Sequence, residues 1–109
     1  MLLSSPEYAH GVPGSLKNAL DWLVGSGELV EKPVALILTS SRVTYAAAQL
    51  RETLGIMTAR LVPEASIALE LMTNRVDEAS LLADTSVCRA LREAIRALAG
   101  AALAARQAP

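Results

Sequence analysis

Residues 32–41 read KPVALILTSS, and this stretch decides the class of fold. Its centre, VALIL at residues 34–38, is a continuous apolar run of the kind that a strand covered on both faces requires. The polar residues that follow it predict a loop at the carboxyl end of that strand. The chain on either side is therefore expected to fold against this central strand.

Two further strands are predicted on either side of it. Leu2 and Leu3 run into the turn-prone residues 4–6, SSP, and form the first. Residues 59–62 form the third, which stops at Pro63 because proline cannot donate a hydrogen bond to a neighbouring strand. A short extended piece is expected at residues 67–71.

Helices are predicted between and after the strands, since apolar residues recur there at three-four spacing. Three such stripes occupy residues 16–23, 43–57 and 87–102. Pro13 suits the first turn of the first helix, and Gly25 and Gly27 end it. Ser40 or Ser41 is the expected N-cap of the second helix, and Asp84 or Thr85 that of the last. A helical turn is expected at residues 77–83, and residues 106–109 are expected to fray.

Strand and helix thus alternate along the chain. Such alternation predicts an α/β fold, in which a parallel sheet carries helices on both faces. A length of 109 residues suits one domain, residues 1–109, with a single core.

Composition excludes several classes of function. A net charge of −1 provides no electrostatic footprint for nucleic acid or an anionic membrane surface. No apolar stretch approaches the roughly 20 residues of a membrane helix, so a cytoplasmic protein is expected. With one cysteine, Cys88, and one histidine, His10, neither an internal disulfide nor a metal site is predicted.

Ligands of open parallel sheets bind at the carboxyl ends of the strands. Two predicted loops lie there, SSPEYAHGVPG at residues 4–14 and TSSRVT at residues 39–44. Both lead into helix N-termini, which favour an anionic or electron-rich ligand.

The residues of the first loop and helix also carry a family resemblance. Residues 5–24, SPEYAHGVPGSLKNALDWLV, resemble the segment after the third strand of NAD(P)H-dependent FMN reductases, a family that includes bacterial quinone, chromate and azo-compound reductases. KPVALILTSS, LRETL at residues 50–54 and VPEAS at residues 62–66 match the following strands and helix of that family.

The resemblance implies a flavodoxin-like, three-layer αβα fold, of which the chain holds the third to fifth strands. It also implies FMN across the carboxyl ends of the strands and NADPH or NADH as hydride donor, with a quinone or similar small molecule as electron acceptor. The implied cofactor-binding residues are Pro6, Glu7, Tyr8, His10, Ser40 and Ser41. No side chain is implied as nucleophile or general acid.

Three departures from the family pattern qualify the site. Ala9 stands where the family has asparagine, and residues 41–44 lack the usual glycines. The first βαβα portion, with its FMN phosphate loop, has no counterpart in the chain. Weak FMN binding and an open edge on the first strand are therefore expected, and the edge favours a homo-oligomer.

Alternative interpretations remain open from the residues alone. The chain could be a non-catalytic remnant that pairs through its open edge or through residues 17–22. A receiver-like domain ranks last, because Glu7 is the only acidic residue at a strand end.

Single residues also have alternative interpretations. Lys17 pairs with Asp21 within the helix or across a subunit contact, Trp22 lies at the core edge or at an interface, and Cys88 is a small buried hydrophobe. Arg42 is solvated or meets cofactor phosphates, and a surface position competes with a ligand role for His10.

Overall fold

The computed structural model describes residues 1–71 and 76–108. The predicted alternation of strands and helices is confirmed there. The strands are β1 (Leu2–Ser4), β2 (Pro33–Leu38), β3 (Arg60–Leu61) and β4 (Ile67–Ala68). The helices are α1 (Gly14–Val24), α2 (Tyr45–Ile56), α3 (Glu78–Ala83) and α4 (Thr85–Gln107), and a 3₁₀ turn spans Pro63–Ala65.

The central strand of the sheet is β2, and all its neighbours run parallel to it. Leu3 of β1 lies opposite Leu36 on one side. On the other side β3 pairs with the start of β2 and β4 with its end, through Val34–Leu61 and Leu38–Ala68. Together β3 and β4 therefore act as one strand that the 3₁₀ turn interrupts.

Ser66 bridges this interruption. Its hydroxyl accepts a hydrogen bond from the backbone N–H of Leu36 at 3.1 Å and donates one to the carbonyl of Val62 at 2.9 Å. Leu36 is almost fully buried, so its amide needs an acceptor. The serine side chain replaces the strand carbonyl that the turn removes.

Both faces of β2 are covered, as the apolar run predicts. Val34 and Leu36 pack with Leu20 of α1 and with Leu50 and Leu54 of α2. The intervening residues Ala35 and Ile37 face the other way, where the alanines and leucines of α4 cover them. The result is three layers with the helices on both faces of a parallel sheet, which is the flavodoxin-like arrangement expected from the sequence.

Three expectations about helix ends are wrong. Pro13 precedes α1 instead of occupying its first turn. Neither Ser40 nor Ser41 caps α2; the residue before it is Thr44, whose side chain makes no capping hydrogen bond. The last helix does not fray at residue 106, since α4 continues through Gln107.

Other predicted ends are confirmed. Asp84 caps α4 by accepting hydrogen bonds from the amides of Ser86 and Val87. The helical turn expected at residues 77–83 is α3, capped by Asp77. The loop expected before it includes residues 72–75, which lie outside the described residues.

Candidate functional site

The carboxyl ends of the strands meet at one edge of the sheet, because the strands are parallel. Ser4 lies opposite Ile37, so the loop after β1, residues 5–13, and the loop after β2, residues 39–44, leave the sheet side by side. Glu70, just after β4, lies at the same edge, where its carboxylate accepts a hydrogen bond from the backbone N–H of Ser41. All six predicted site residues belong to this edge.

The loop after β1 folds into a tight hairpin turn. Tyr8 and Gly11 exchange two backbone hydrogen bonds of 3.0 Å each. The residues between them, Ala9 and His10, have φ angles of 49° and 59°, which is the conformation of a type I′ turn. The turn projects the Tyr8 side chain outward, with 65% of its surface exposed.

The turn is held against the start of α2. The Glu7 carboxylate accepts a hydrogen bond from the backbone N–H of Ala46 at 2.7 Å. Gln49, one turn further along α2, accepts one from the N–H of Val12 at 2.8 Å. The imidazole of His10 stacks on the ring of Tyr45. Three separate contacts thus join the loop to one helix.

Tyr45 and Gln49 are the residues of this edge that sequence reasoning missed. Both lie on α2, where an apolar stripe dominates the pattern, and neither belongs to a recognisable motif. Only the folded chain brings them to a loop that lies more than thirty positions earlier. No signal in the sequence indicates their partners.

Ser40 and Ser41 make local contacts instead. The Ser40 hydroxyl accepts a hydrogen bond from the backbone N–H of Arg42 at 3.1 Å, and the Ser41 N–H donates to Glu70 at 3.2 Å. Among residues 1–71 and 76–108, no hydrogen bond links either serine to the loop after β1. The two halves of the predicted site therefore share an edge but do not touch through hydrogen bonds.

The electrostatics of the edge differ from the expectation for a helix N-terminus. The Ala46 N–H lies in the first turn of α2 and is fully buried, and a carboxylate already occupies it. Because a carboxylate repels a second anion, the start of α2 does not offer the anion site that its dipole would otherwise create.

Four side chains singled out in the sequence have clear positions. The core-edge interpretation of Trp22 is wrong, since 80% of its surface is exposed. Lys17 and Asp21 form the intrahelical ion pair, at 2.7 Å. Cys88 is only partly buried, and its thiol donates to the carbonyl of Leu81.

The parts of the chain that are described hold neither a cluster of metal-ligating side chains nor a membrane-spanning helix. Residues 1–71 and 76–108 contain no group of three histidine, cysteine or carboxylate side chains that could hold a metal ion. None of the helices in these ranges combines the length and the apolar character that crossing a membrane takes.

The chain is similar to known proteins over most of its length. Residues 1–74 match the family described as NADPH-dependent FMN reductase. The chain is 36% identical to a quinone reductase of Escherichia coli over 83 residues, which are 71% of this chain and 44% of that protein. It is also 36% identical, over 78 residues, to subunit CrdA of the NADH:(hydroxy)cinnamate reductase of Vibrio ruber, covering 63% of this chain and 37% of that protein.

The chain therefore spans less than half the length of these relatives. The matched residues nevertheless include β1, α1, β2, α2 and the loops of the carboxyl edge. Since the family match covers well over half of the chain, the protein belongs to the NADPH-dependent FMN reductase family, whose members use FMN and NAD(P)H.

Proposed function

We propose that this chain forms the ring-binding edge of an FMN-dependent NAD(P)H oxidoreductase. The observation that carries the proposal is the hairpin turn at residues 8–11, held at the carboxyl edge of the sheet by hydrogen bonds that join Glu7 to α2 and Gln49 to the loop. A ligand site at this edge is the rule for open α/β sheets. The family match supplies the identity of the ligand.

The residues of the edge fit the ring of FMN better than its phosphate. Tyr8 offers an exposed aromatic face, and ring stacking is favourable for a flat heterocycle. The Glu7 carboxylate at the start of α2 is unsuited to a phosphate. Pro6, Glu7, Tyr8 and His10 are thus proposed to border the ring on one side, with Ser40 and Ser41 on the other.

The chemistry of the proposed reaction belongs to the cofactors. When bound, FMN accepts a hydride from NADPH or NADH and passes electrons on to a small acceptor. The chain's own residues position the ring and exclude water from one of its faces. A quinone as acceptor is supported by the similarity to the Escherichia coli quinone reductase.

A flavin titration tests this function. We expect the fluorescence of FMN to be quenched saturably by the purified chain, with a dissociation constant in the micromolar range, about −8 kcal/mol. Replacement of Tyr8 by Ala is expected to weaken binding by about tenfold, equivalent to ~1.4 kcal/mol of lost ring contact. Glu52→Ala, at an exposed position on α2, serves as the control. If the chain folds but does not quench FMN fluorescence, the proposal is contradicted. If it quenches FMN fluorescence, NADPH oxidation with a quinone as acceptor is assayed next.

The second candidate is a non-catalytic interaction module, which two observations favour. The exposed Trp22 lies on α1 beside Asn18, Asp21 and Gly25, around a shallow hollow of about 340 Å³. Within the described residues β1 pairs with β2 alone, so one edge of the sheet is open. Tryptophan is enriched among the residues that contribute most to the binding energy of interfaces, which favours self-association through α1. Such self-association is equally compatible with an enzyme.

Light scattering combined with size-exclusion chromatography separates these possibilities. If α1 forms the interface, Trp22→Ser lowers the oligomer mass to that of a monomer, whereas Leu2→Lys on the β1 edge does not. The reverse result identifies the strand edge as the interface. A monomeric wild-type chain excludes both interfaces, and FMN binding then decides between enzyme and remnant.

A further inference from the structure

Helix α2 begins without a cap from its own sequence. Thr44 precedes it with no side-chain hydrogen bond, and its first turn contains no acidic residue. The Ser40 hydroxyl, the nearest alternative, is engaged with Arg42. The first amides of a helix need an acceptor from elsewhere in the protein or from a ligand.

Glu7 provides that acceptor from the loop after β1. Its carboxylate lies 2.7 Å from the amide nitrogen of Ala46, the second residue of α2. A carboxylate is the preferred partner of a helix N-terminus, because its negative charge also interacts favourably with the positive end of the helix dipole. One side chain thereby caps the helix and fixes the loop.

Two more contacts restrain the same loop. Gln49 accepts from Val12, and the approach is so close that a side chain on Gly11 would lie 3.2 Å from the Gln49 oxygen. Tyr45 holds His10 by stacking. The loop is thus fixed before, within and after its turn by residues 45, 46 and 49 of α2.

We propose that Glu7 is the positioning and specificity residue of this edge: its side chain fixes the loop that borders the flavin ring, and its charge keeps anions away from the start of α2. The inference rests on the proposed function for the identity of the ring. It assigns the Glu7 side chain a role through Ala46, while the backbone of residue 7 borders the ring. Gln49 is the second positioning residue, acting on Val12.

Three variants separate the parts of this role. Glu7→Gln retains an oxygen acceptor and loses the charge, Glu7→Ala loses both, and Gln49→Ala releases Val12 alone. Glu52→Ala, on an exposed part of α2, is the matched control. Circular dichroism establishes that each variant is folded, and Gln49→Ala keeps the test valid if Glu7→Ala does not fold.

The first measurement is amide hydrogen exchange by NMR, which needs no flavin. Glu7→Ala is expected to speed exchange of the Ala46 amide by about tenfold or more, and Gln49→Ala that of Val12, as the loss of a hydrogen bond to a partly buried group implies. Glu7→Gln and the control leave both rates within about twofold of wild type. Unchanged exchange in Glu7→Ala overturns the positioning role.

The second measurement compares ligands. Lumiflavin, which carries the ring and no phosphate, is expected to bind Glu7→Gln as it binds wild type and Glu7→Ala about tenfold more weakly. Inorganic phosphate is expected to slow exchange of the Ala46 amide in Glu7→Ala and to leave wild type unaffected. If phosphate has no effect on Glu7→Ala, the specificity role is wrong. A further outcome is that wild type binds no flavin while Glu7→Ala still shows faster exchange of the Ala46 amide that phosphate slows. In that case the proposed function fails, and the role of Glu7 in fixing the loop and excluding anions is retained.

Discussion

The imidazole of His10 lies face to face with the phenol ring of Tyr45, with 4.2 Å between ring centroids and 15° between ring planes. The contact joins the tip of the loop after β1 to the first residue of α2. The exposed side chain of His10 therefore has a packing partner on α2, although it lies in a polar loop.

We expect this stack to contribute measurably to stability. We expect a double-mutant cycle with His10→Asn and Tyr45→Ala to give a coupling energy of about 0.5 kcal/mol, the low end for aromatic pairs because both rings are exposed. Asparagine is chosen because it tolerates the positive φ of residue 10. Urea unfolding of the four proteins provides the measurement, and strictly additive effects would contradict the contact.

The turn residue Ala9 is a point of backbone strain. Its φ of 49° lies in the left-handed region, which costs an alanine about 1 kcal/mol and an asparagine less. Ala9→Asn is therefore expected to raise the free energy of unfolding by about 0.5 to 1 kcal/mol. The same replacement at Ala19, an exposed helical position, is expected to lower it by about 0.5 kcal/mol through helix propensity. Thermal unfolding distinguishes the two, and destabilisation by Ala9→Asn argues against the turn.

The bridging hydroxyl of Ser66 stabilises the interrupted edge of the sheet. Ser66→Ala leaves the buried amide of Leu36 without its acceptor, so we expect a loss of about 1 to 3 kcal/mol. Ser26→Ala, which removes an exposed hydroxyl bond to Leu23, is the control and is expected to cost less than about 0.5 kcal/mol. Chemical denaturation measures both. Equal effects of the two replacements would show that the bridge contributes nothing.

Acid weakens the cap of α4 in a defined direction. Hydrogen bonds from the Ser86 hydroxyl and from the Val87 amide hold the pKa of Asp84 below its ordinary value of 3.8. The folded protein thus binds this proton less readily than the unfolded chain, so the cap's contribution is complete above about pH 4 and is lost as the pH falls through the lower folded pKa. Asp77, capping α3, has its pKa lowered by Ser80 in the same way.

The measurement is urea unfolding of wild type and Asp84→Ala between pH 7 and pH 2.5. Their difference in unfolding free energy is expected to be constant near neutrality and to shrink below about pH 4. Glu52→Gln, whose carboxylate accepts no hydrogen bond from the described residues, is the control. A difference that does not change with pH contradicts the capping role of the charged form.

Several expectations from the sequence stay predictions. These are the span 1–109 as one domain, the cytoplasmic location, the homo-oligomer and the six cofactor-binding residues. The family itself and the α/β class are confirmed, because the motif at residues 5–24 and the apolar run at residues 34–38 are local features that need no knowledge of contacts.

The sequence by itself determined the order of strands and helices, the burial of both faces of β2, and the family. Periodicity and apolar runs report these directly, since they reflect which side of an element meets the core. The sequence also indicated Asp84 as one of two candidate caps of α4, the other being Thr85, because a cap and its partners are near neighbours in the chain.

Only the tertiary structure decided which residue caps α2 and what fills the gap between β3 and β4. Glu7 reaches Ala46, and Ser66 reaches Leu36, across tens of residues of chain. Such pairings depend on how the strands are registered and how closely the helices approach them. A hydrogen bond between distant residues leaves no periodic trace in either segment, so local pattern cannot reveal it.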